Sequence, residues 1–390
     1  MTGPAGHTVV GAGPAGLAAA TRLAQAGRPV RVIERHRSVG HRFHGDLQGL
    51  ENWSATEDVL DRLRRLGIDT DFSYRGFHEV TFYDSRLRPA TARTRRPLFY
   101  LVRRGPAADT LDTALLRQAR DAGADIRFGE TARTAGPGTV VATGPEKADG
   151  IVAGFVFRTP LEDQAHAIVH PTLSPAGYAY LLVWDGRATL ATCLFRDLHR
   201  WRTARDATVE AFGRLVPGLR LDRARPFGGY GGVLPHTRYI DESGRLYVGE
   251  SAGLQDPEWG FGMVSAIRSG VLAASSLLHG TDYATQAGRA FDAPRATGFV
   301  NRAVFEILPR RLFDPIFRFE AGRPDLADRL RRHWAPNRAK SLLAPRLLTR
   351  YADRLHYLDP ACHEASCDCL PCSCGHPTAD GATGPARGTS

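Results

Sequence analysis

The stretch HTVVGAGPAGLAAATRLAQAGRPVRVIERHRSVGHR, residues 7–42, predicts a β-turn-α-β unit. Its glycines Gly11, Gly13 and Gly16 have the spacing G-x-G-x-x-G and follow the short β-branched run TVV. The alanine- and leucine-rich segment after them predicts a helix that Gly27 ends, and PVRVIE predicts the next strand. Glycines at these positions allow a tight turn and a close approach of the backbone to a ligand.

The same unit predicts a dinucleotide site. The pyrophosphate of a dinucleotide binds well at a helix N-terminus, where free N–H groups and the helix dipole favour an anion. Glu34 ends the second strand, 18 residues past Gly16. A carboxylate at this place can accept hydrogen bonds from ribose hydroxyls. Strand, glycines, helix, strand and acid occur in the order that such a site requires.

The length and composition of the chain indicate a globular protein with a large hydrophobic core. With 390 residues and 43% hydrophobic residues, the chain can bury a core large enough for two closely associated domains. The net charge is +10, and Lys147 and Lys340 are the only lysines, so almost all of the basic residues are arginines. We discount this bias as evidence for nucleic acid; an anionic ligand or an anionic membrane surface stays open.

Targeting and membrane signals are not found in the sequence. The first strand begins within ten residues of the start, without a charged and apolar leader, which predicts a cytoplasmic protein. The longest weakly polar run, GMVSAIRSGVLAASSLL at residues 262–278, contains Arg268. It is shorter than the roughly 20 apolar residues that span a bilayer, so peripheral membrane contact is the most that the sequence allows.

Four separate segments resemble FAD-dependent oxidoreductases of the glutathione-reductase-like and aromatic-hydroxylase-like superfamily. ERHRSVGHR continues the first segment as E-R-x-x-x-x-G-x-R, and LVRRGPAADTLDTALLRQARDAGADIRFGE, residues 101–130, resembles the second crossover. GTVVATGP at residues 138–145 resembles the A-T-G turn, and GRLYVGESAGLQDPEWGFGMVSAIRSGVLAA at 244–274 resembles the final flavin motif. The order of the four segments implies FAD as the cofactor.

The resemblance also implies which residues contact FAD. Of the adjacent Arg103 and Arg104, one approaches the flavin, and we assign Arg103. Glu250 stands where the family has an aspartate. The full set of expected cofactor contacts is Gly11, Gly13, Pro14, Ala15, Gly16, Glu34, Arg35, Arg42, Arg103, Thr143, Gly144, Gly249, Glu250, Gly260, Gly262 and Met263. A helix that begins near Met263 would point its N–H groups at the flavin ring.

The spread of these segments predicts an α/β fold with a discontinuous Rossmann-type FAD-binding domain. We assign residues 1–50, 98–150 and 240–285 to this domain, and 51–97 and 151–239 to an inserted antiparallel-sheet substrate domain. Within the insert, Asp185-Gly186 between two β-rich runs predicts a hairpin. A helical region at 286–358 and a flexible tail at 359–390 complete the chain. Because no second glycine motif occurs, the electron donor is expected to dock transiently, as NAD(P)H or as a reduced ferredoxin.

Within the superfamily, DPEWGFGMVSAIRSG and the hairpin sheet most resemble the geranylgeranyl reductase family. This implies hydride transfer to a C=C bond of a prenyl or other long apolar substrate, such as a lipid. The family's substrate motif has a loose counterpart in Tyr178, Tyr180 and Trp184. An aromatic monooxygenase, which uses the same FAD with oxygen, is the alternative. Halogenation is disfavoured because no W-x-W occurs and because neither Lys147, close to the A-T-G turn, nor Lys340, far downstream, is placed to act as the catalytic lysine.

Catalytic candidates are few. His44, Asp46 and Glu51 are the densest titratable group in a loop near the cofactor, and any of them could deliver a proton or be simply solvated. Tyr178 and Tyr180, which share one face of a strand, are candidates as a pocket wall or as ordinary core. Two tryptophans near these segments, Trp53 and Trp259, have the same two interpretations.

Two C-terminal features suggest further binding. The arginine-rich segment from Arg302 to Arg354 is expected to face an anionic membrane or a substrate phosphate, or else to be a solvated helical face. The tail places its metal-ligand candidates at Cys362, His363, Cys367, Cys369, Cys372, Cys374 and His376. A soft metal ion on Cys367, Cys369, Cys372 and Cys374 is the favoured interpretation, a dithiol relay and an accessory tail being the alternatives.

Overall fold

The computed structural model describes residues 6–132, 136–145, 150–231, 237–321, 323 and 326–352. The strands are β1 (His7–Val10), β2 (Val30–Glu34), β3 (Leu47–Glu51), β4 (Tyr74–Phe77), β5 (Glu79–Tyr83), β6 (Pro89–Arg93), β7 (Phe99–Arg103), β8 (Asp125–Phe128), β9 (Val140–Val141), β10 (Gly150–Arg158), β11 (Gln164–Ile168), β12 (Tyr178–Trp184), β13 (Arg187–Leu194), β14 (Asp222–Gly231) and β15 (Leu246–Tyr247). The α-helices are α1 (Pro14–Gln25), α2 (Val59–Arg65), α3 (Leu111–Asp121), α4 (Trp201–Leu215), α5 (Met263–His279), α6 (Tyr283–Ile307), α7 (Arg310–Ala321), α8 (Leu326–Trp334) and α9 (Arg338–Ala352).

A five-stranded parallel sheet forms the first layer, in the order β15-β9-β1-β2-β8. Its centre is fully buried: Val9 of β1 is opposite Val32 of β2 and Val140 of β9, and all three are 0% exposed. Helix α1 packs against this sheet and against α3 and α5. Gly27 follows α1 with a φ of +70°, which ends the helix as expected. The predicted Rossmann-type unit is therefore confirmed.

A seven-stranded sheet forms the second layer, in the order β14-β10-β13-β12-β11-β5-β6, with all pairs antiparallel except β11 and β5. Asp185 and Gly186 join β12 to β13 with φ values of +54° and +66°, which are those of a type I′ turn, so the hairpin is confirmed. Helix α4 covers one face of the sheet and buries Phe212 there. On β12, the alternate residues Tyr178, Tyr180, Leu182 and Trp184 face the side of the sheet opposite to α4.

The rest of the chain connects these layers. A three-stranded sheet, β3-β7-β4, pairs a strand from the expected FAD domain, β7, with β4 from the expected insert. Helices α6–α9 follow, as the fold class predicts, and α6 and α8 pack on the loop before α5. None of the helices in the described ranges is long and apolar enough to cross a membrane. The cysteine-rich tail lies outside the described residues, so its metal site stays a prediction.

Candidate functional site

One large cavity extends from the first β-turn-α unit to α7 and α8, with a volume of about 970 Å³. This is near the upper end of the roughly 300–1,000 Å³ typical of small-molecule sites. One end is lined by turns of the parallel sheet, at Gly11, Gly13, Pro14, Ala15, Glu34, Arg35, Arg42, Thr143, Gly144, Gly249 and Glu250. The other end is lined by apolar side chains, including Trp53, Phe82, Leu98, Phe99, Tyr180, Leu182, Phe261, Leu326, Leu330 and Trp334. The cavity thus joins a polar part to an apolar part.

The glycines of the first turn have two different roles. Gly11 has a φ of +103°, and a Cβ there would lie 2.3 Å from the carbonyl oxygen of Ala142. A Cβ at Gly16 would lie 2.0 Å from the carbonyl oxygen of Gly11. At Gly13 and Gly144, by contrast, no atom lies within 4 Å of the Cβ position. Gly16 lets α1 pack closely on the turn and Gly11 lets the segment after β9 approach that turn, whereas Gly13 and Gly144 leave room for a ligand against the backbone.

Glu34 lies where a ribose would be recognised. One of its carboxylate oxygens accepts a hydrogen bond from the N–H of Ala12 at 2.7 Å, and the other accepts from the N–H of His36 at 2.9 Å. These bonds fix the carboxylate and leave further lone pairs for a ligand hydroxyl. Helix α1 begins after Gly13 without a capping side chain or an acid in its first turn, so its N-terminal N–H groups can receive an anion.

Glu250 lines the cavity between two cations. Burial raises the pKa of this carboxyl group, and the nearby Arg42 and Arg104 oppose the shift. The guanidinium carbon of Arg42 is 5.3 Å from the centre of the Tyr230 ring, which holds the arginine beside the cavity. Glu250 occupies a short 3-10 turn after β15, with Gly249 at a φ of +62°. The expected contact of Glu250 with the cofactor stays a prediction.

The assignment of Arg103 as the cofactor-facing arginine is wrong in this structure. Arg103 forms ion pairs with Asp109 and, at 2.6 Å, with Asp185, and it does not line the cavity. Arg104 lines the cavity instead, and Asp112 holds it through two hydrogen bonds of 2.8 and 2.9 Å. Adjacent residues of an extended chain point to opposite sides, so only one of the two arginines can face the cavity.

The start of α5 forms another part of the cavity wall. Gly260 has a φ of +79°, Gly262 precedes the helix, and Met263 is its first residue, as the sequence predicts. Sequence reasoning missed Gln255. Its Nε2 donates to the carbonyl oxygen of Gly260 at 2.8 Å, while its buried Oε1 has no partner among the described residues. An amide oxygen buried without a partner is costly, which is consistent with a ligand donor at this point.

The three titratable candidates of the loop separate in space. Asp46 is fully buried and lines the cavity, where its carboxylate accepts from the N–H of His44 at 2.9 Å and from Nε2 of Gln48 at 2.8 Å. Burial raises the pKa of Asp46. The side chain of His44 lies outside this cavity, and so does that of Glu51. Only Asp46 of the three is placed against the cavity.

The aromatic residues of β12 form part of the cavity wall. Tyr178 and Tyr180 both line it, and the hydroxyl of Tyr178 donates to the carbonyl oxygen of Trp259 at 2.9 Å. Trp184 shares their face of the strand but does not line the cavity. Cys193, opposite Tyr178 on β13, does line it, and burial raises the pKa of its thiol to about 12. This cysteine therefore stays a neutral thiol at physiological pH.

The C-terminal helices close the apolar end, which sequence reasoning did not foresee. Leu326, Leu330 and Trp334 are spaced by four residues on α8, so they share one face of the helix, and all three line the cavity. The Trp334 ring centre is 5.9 Å from that of Trp53. The spacing was the available signal, but the proline-interrupted, arginine-rich context indicated a surface segment.

Arg302 corrects the expectation of a basic surface beginning at this residue. It is 1% exposed, pairs with Glu306 at 2.8 Å, and donates to the carbonyl oxygen of Glu258 at 2.9 Å. Glu258 itself accepts from Asn301 at 3.0 Å and is 2.9 Å from His333. These bonds fasten α6 and α8 to the loop that precedes α5. An anionic partner for the remaining arginines of this region stays a prediction.

The buried carboxyl group of Glu51 is expected to make the free energy of unfolding depend on pH. Its Oε2 is buried without a partner among the described residues, and burial, aided by nearby Asp256, raises its pKa to about 8. The folded protein thus keeps a proton that the unfolded chain releases above pH 4.5 or so, and the free energy of unfolding should fall by up to about 1.4 kcal/mol per pH unit until pH 8. Glu51→Gln should melt at a higher temperature than the wild type at pH 8 and at a similar one at pH 4.5. Parallel melting-temperature curves across this range would contradict the assignment.

The parallel sheet with its glycine turn, the antiparallel sheet beside the cavity and the C-terminal helices together form an α/β fold with a Rossmann-type dinucleotide-binding unit. Residues 9–48 match the model of the NAD(P)-binding Rossmann-like domain. Thiamine thiazole synthase of Methanococcus maripaludis is 44% identical over 63 residues, which are 16% of this chain and 24% of that protein. The chain thus matches about a quarter of the length of this curated relative.

Solved structures resemble most of the chain. A geranylgeranyl bacteriochlorophyll reductase-like protein from Thermoplasma acidophilum has a TM-score of 0.67 and 19% identity, over 89% of this chain and 98% of that one. The flavin-dependent brominase Bmp2 has a TM-score of 0.60 and 16% identity, over 89% and 98%. A probable FAD-dependent monooxygenase from Pseudomonas aeruginosa has a TM-score of 0.57 and 17% identity, over 80% and 99%. At these identities the similarity establishes the fold.

Proposed function

We propose that the protein is an FAD-dependent oxidoreductase that reduces a C=C bond of a prenyl or other long apolar substrate. The observation that carries the proposal is one continuous cavity of about 970 Å³, which joins a glycine-lined dinucleotide cradle to a wall of aromatic and aliphatic side chains. An aromatic acid would leave most of this apolar wall without contacts. The fold likeness to a geranylgeranyl bacteriochlorophyll reductase-like protein is consistent with this choice.

The residues at the polar end suit FAD. Open backbone at Gly13 and Gly144 admits a pyrophosphate, the fixed carboxylate of Glu34 can accept from a ribose, and the buried Oε1 of Gln255 can accept from a ring N–H. Arg42 contributes positive charge at the same end of the cavity. Bound FAD, once reduced, supplies the hydride for the reduction.

The apolar end orients the substrate and excludes water. Trp53 contacts Phe261 edge-on, with ring centres 4.8 Å apart, and Leu330 and Trp334 of α8 line the same part of the cavity. An isoprenoid chain buried there gains about 25 cal/mol for each Å² of apolar surface removed from water. Such binding energy can hold a chain that has no polar group beside the reacting double bond.

Asp46 is the proposed proton donor. Saturation of a double bond adds a hydride to one carbon and a proton to its neighbour, so the protein must provide the proton at the cavity wall. Asp46 lines the cavity, and burial raises its pKa, which favours the protonated carboxyl group. Delivery of that proton leaves a carboxylate that the N–H of His44 and the amide of Gln48 stabilise.

The reaction is tested by mixing the anaerobically reduced protein with geranylgeranyl lipids and, separately, with aromatic acids. We expect the lipid to reoxidise the flavin without oxygen and to gain two hydrogen atoms per reduced bond, as measured by absorbance and mass spectrometry. The aromatic acids should leave the flavin reduced. Reoxidation by oxygen alone, together with a hydroxylated aromatic product, would favour the monooxygenase.

The proton donor is tested in the same assay with Asp46→Asn. Loss of a general acid should slow lipid reduction by about 100-fold, while FAD binding and melting temperature stay near those of the wild type. Asp61→Asn, which removes an exposed carboxylate on α2, is the control and should reduce the lipid at the wild-type rate. An unchanged rate in Asp46→Asn would place the proton source elsewhere.

A further inference from the structure

A second, smaller cleft lies beside the turn that carries Asp46, and its volume is about 200 Å³. Phe43 and Asp46 of this turn line the large cavity, whereas His44 lines the small cleft. Besides two apolar residues of β10, the cleft is bordered by His44, Arg158, Arg187, Arg223 and Arg225. We call it the arginine cleft. The two hollows therefore share one short turn.

The strand register explains why the arginines converge. Arg158 of β10 is directly opposite Arg187 of β13, and Arg225 of β14 is opposite Val156, two positions earlier on β10. Since residues two positions apart share a face of a strand, these three arginines lie on the same side of the sheet. The β10–β14 register shifts between Val156 and Arg158, and Arg223 in this irregularity has a φ of +52°. Such irregularities re-aim side chains, and this one brings a fourth arginine to the cleft.

The charges of the cleft are not balanced from within the protein. Like charges directly opposite each other on neighbouring strands are destabilising, as at Arg158 and Arg187. Among the residues that the structure describes, no carboxylate forms an ion pair with any of the four arginines. Asp109 is near Arg187 but is bonded to Arg103, and Asp222 is opposite Arg158 without pairing to it. Burial and nearby Arg225 lower the pKa of His44, so the positive charge of the cleft comes from the arginines.

We propose that the arginine cleft binds the phosphate groups of a small organic phosphate. Guanidinium groups match phosphate oxygens in a bidentate geometry, and four of them in one concave site neutralise a diphosphate at a place where the fold otherwise retains repulsion. The shared turn places such a ligand next to the large cavity. The source of the phosphate depends on the proposed function: a nicotinamide dinucleotide that donates electrons, or the diphosphate of an isoprenoid substrate.

Binding is tested with inorganic pyrophosphate, titrated calorimetrically into the FAD-loaded protein. Arg223→Gln with Arg225→Gln should weaken the affinity at least about tenfold, since each lost bond to a charged group is a strong one. Arg28→Gln with Arg95→Gln removes two exposed arginines elsewhere and should leave the affinity within about twofold of the wild type. No saturable binding by the wild type, or equal losses in both double variants, overturns the proposal.

Two kinetic experiments identify which molecule carries the phosphate that the arginine cleft binds. If the cleft holds the donor, the Arg223 and Arg225 double variant should raise KM for both NADPH and NADH in flavin reduction, because both carry the diphosphate. If it holds the substrate, the variant should raise KM for an isoprenoid diphosphate and not for the isoprenol. The pyrophosphate titration tests whether the arginine cleft binds phosphate even if the protein turns over no substrate. Pyrophosphate that does not bind, with electron transfer from a reduced ferredoxin lost in the variant, would make the cleft a protein-docking surface and overturn the proposal.

Discussion

Gly11→Ala is expected to abolish FAD binding and to destabilise the folded protein by about 2–5 kcal/mol. Gly11 has a φ of +103°, which disfavours any side chain, and its Cβ would lie 2.3 Å from the carbonyl oxygen of Ala142. That oxygen cannot move freely, because the N–H of Ala142 donates to the carbonyl oxygen of Val10 at 2.7 Å and so joins β9 to β1. Thermal denaturation and the flavin absorbance of the purified protein measure both effects.

Gly13→Ala is the matched control. Gly13 has an ordinary φ of −77°, and no atom lies within 4 Å of its Cβ position, so the fold and the melting temperature of the FAD-free protein should be kept. Its backbone borders the cavity, so the added methyl group should weaken FAD binding alone. Wild-type affinity for FAD in Gly13→Ala would show that the cofactor does not lie on this turn.

The features that the sequence predicted well are local ones. Gly16 is required by its close contact with Gly11 in the same β-turn-α unit, Gly11 has a φ of +103° in that turn, and Asp185-Gly186 is required by a two-residue turn. Short-range geometry of this kind depends on neighbours in the chain, so spacing alone identifies it. The resemblance in the fourth segment placed Met263 at a helix start for the same reason, because Gly262 immediately precedes the helix.

The features that the sequence did not predict depend on distant partners. Arg103 and Arg104 are both plausible beside a flavin, and the choice depends on which one Asp112 holds. The sequence predicted that Arg302 lies on the surface, because an arginine is rarely buried without hydrogen-bond partners. One of its partners, the carbonyl oxygen of Glu258, is 44 residues away in the chain, so no local pattern indicated it.

The cavity wall formed by α8 is another feature that depends on distant partners and that the sequence did not predict. Trp334 and Trp53 meet across the cavity although they lie in opposite halves of the chain. Their contact follows from the packing of α6 and α8 on the loop before α5, which no local pattern encodes. The apolar character of the cavity, which supports the proposed substrate class, therefore became visible only in the folded chain.

Asp112→Asn is expected to lower the free energy of unfolding by about 3–5 kcal/mol, because it leaves the charge of Arg104 buried without its partner. The two side chains are 3% and 7% exposed and are joined by two hydrogen bonds. The N–H of Gly105 also donates to the Asp112 carboxylate, at 2.9 Å, so the same group fixes the turn between β7 and α3. Urea denaturation measures the loss, and FAD affinity should fall with it, since Arg104 lines the cavity.

Two further variants show whether the loss of stability in Asp112→Asn comes from the unpaired buried charge of Arg104. They are Asp71→Asn and a double variant at Arg104 and Asp112. Asp71 pairs with Arg117 of α3 on the surface, where solvent screens the pair, so its loss should change stability little. Arg104→Met with Asp112→Leu removes both buried charges, and it should be more stable than Asp112→Asn because no charge is left unpaired. If the double variant were less stable than the single one, the hydrogen bond from Gly105, rather than the ion pair, would be the main stabilising interaction of Asp112.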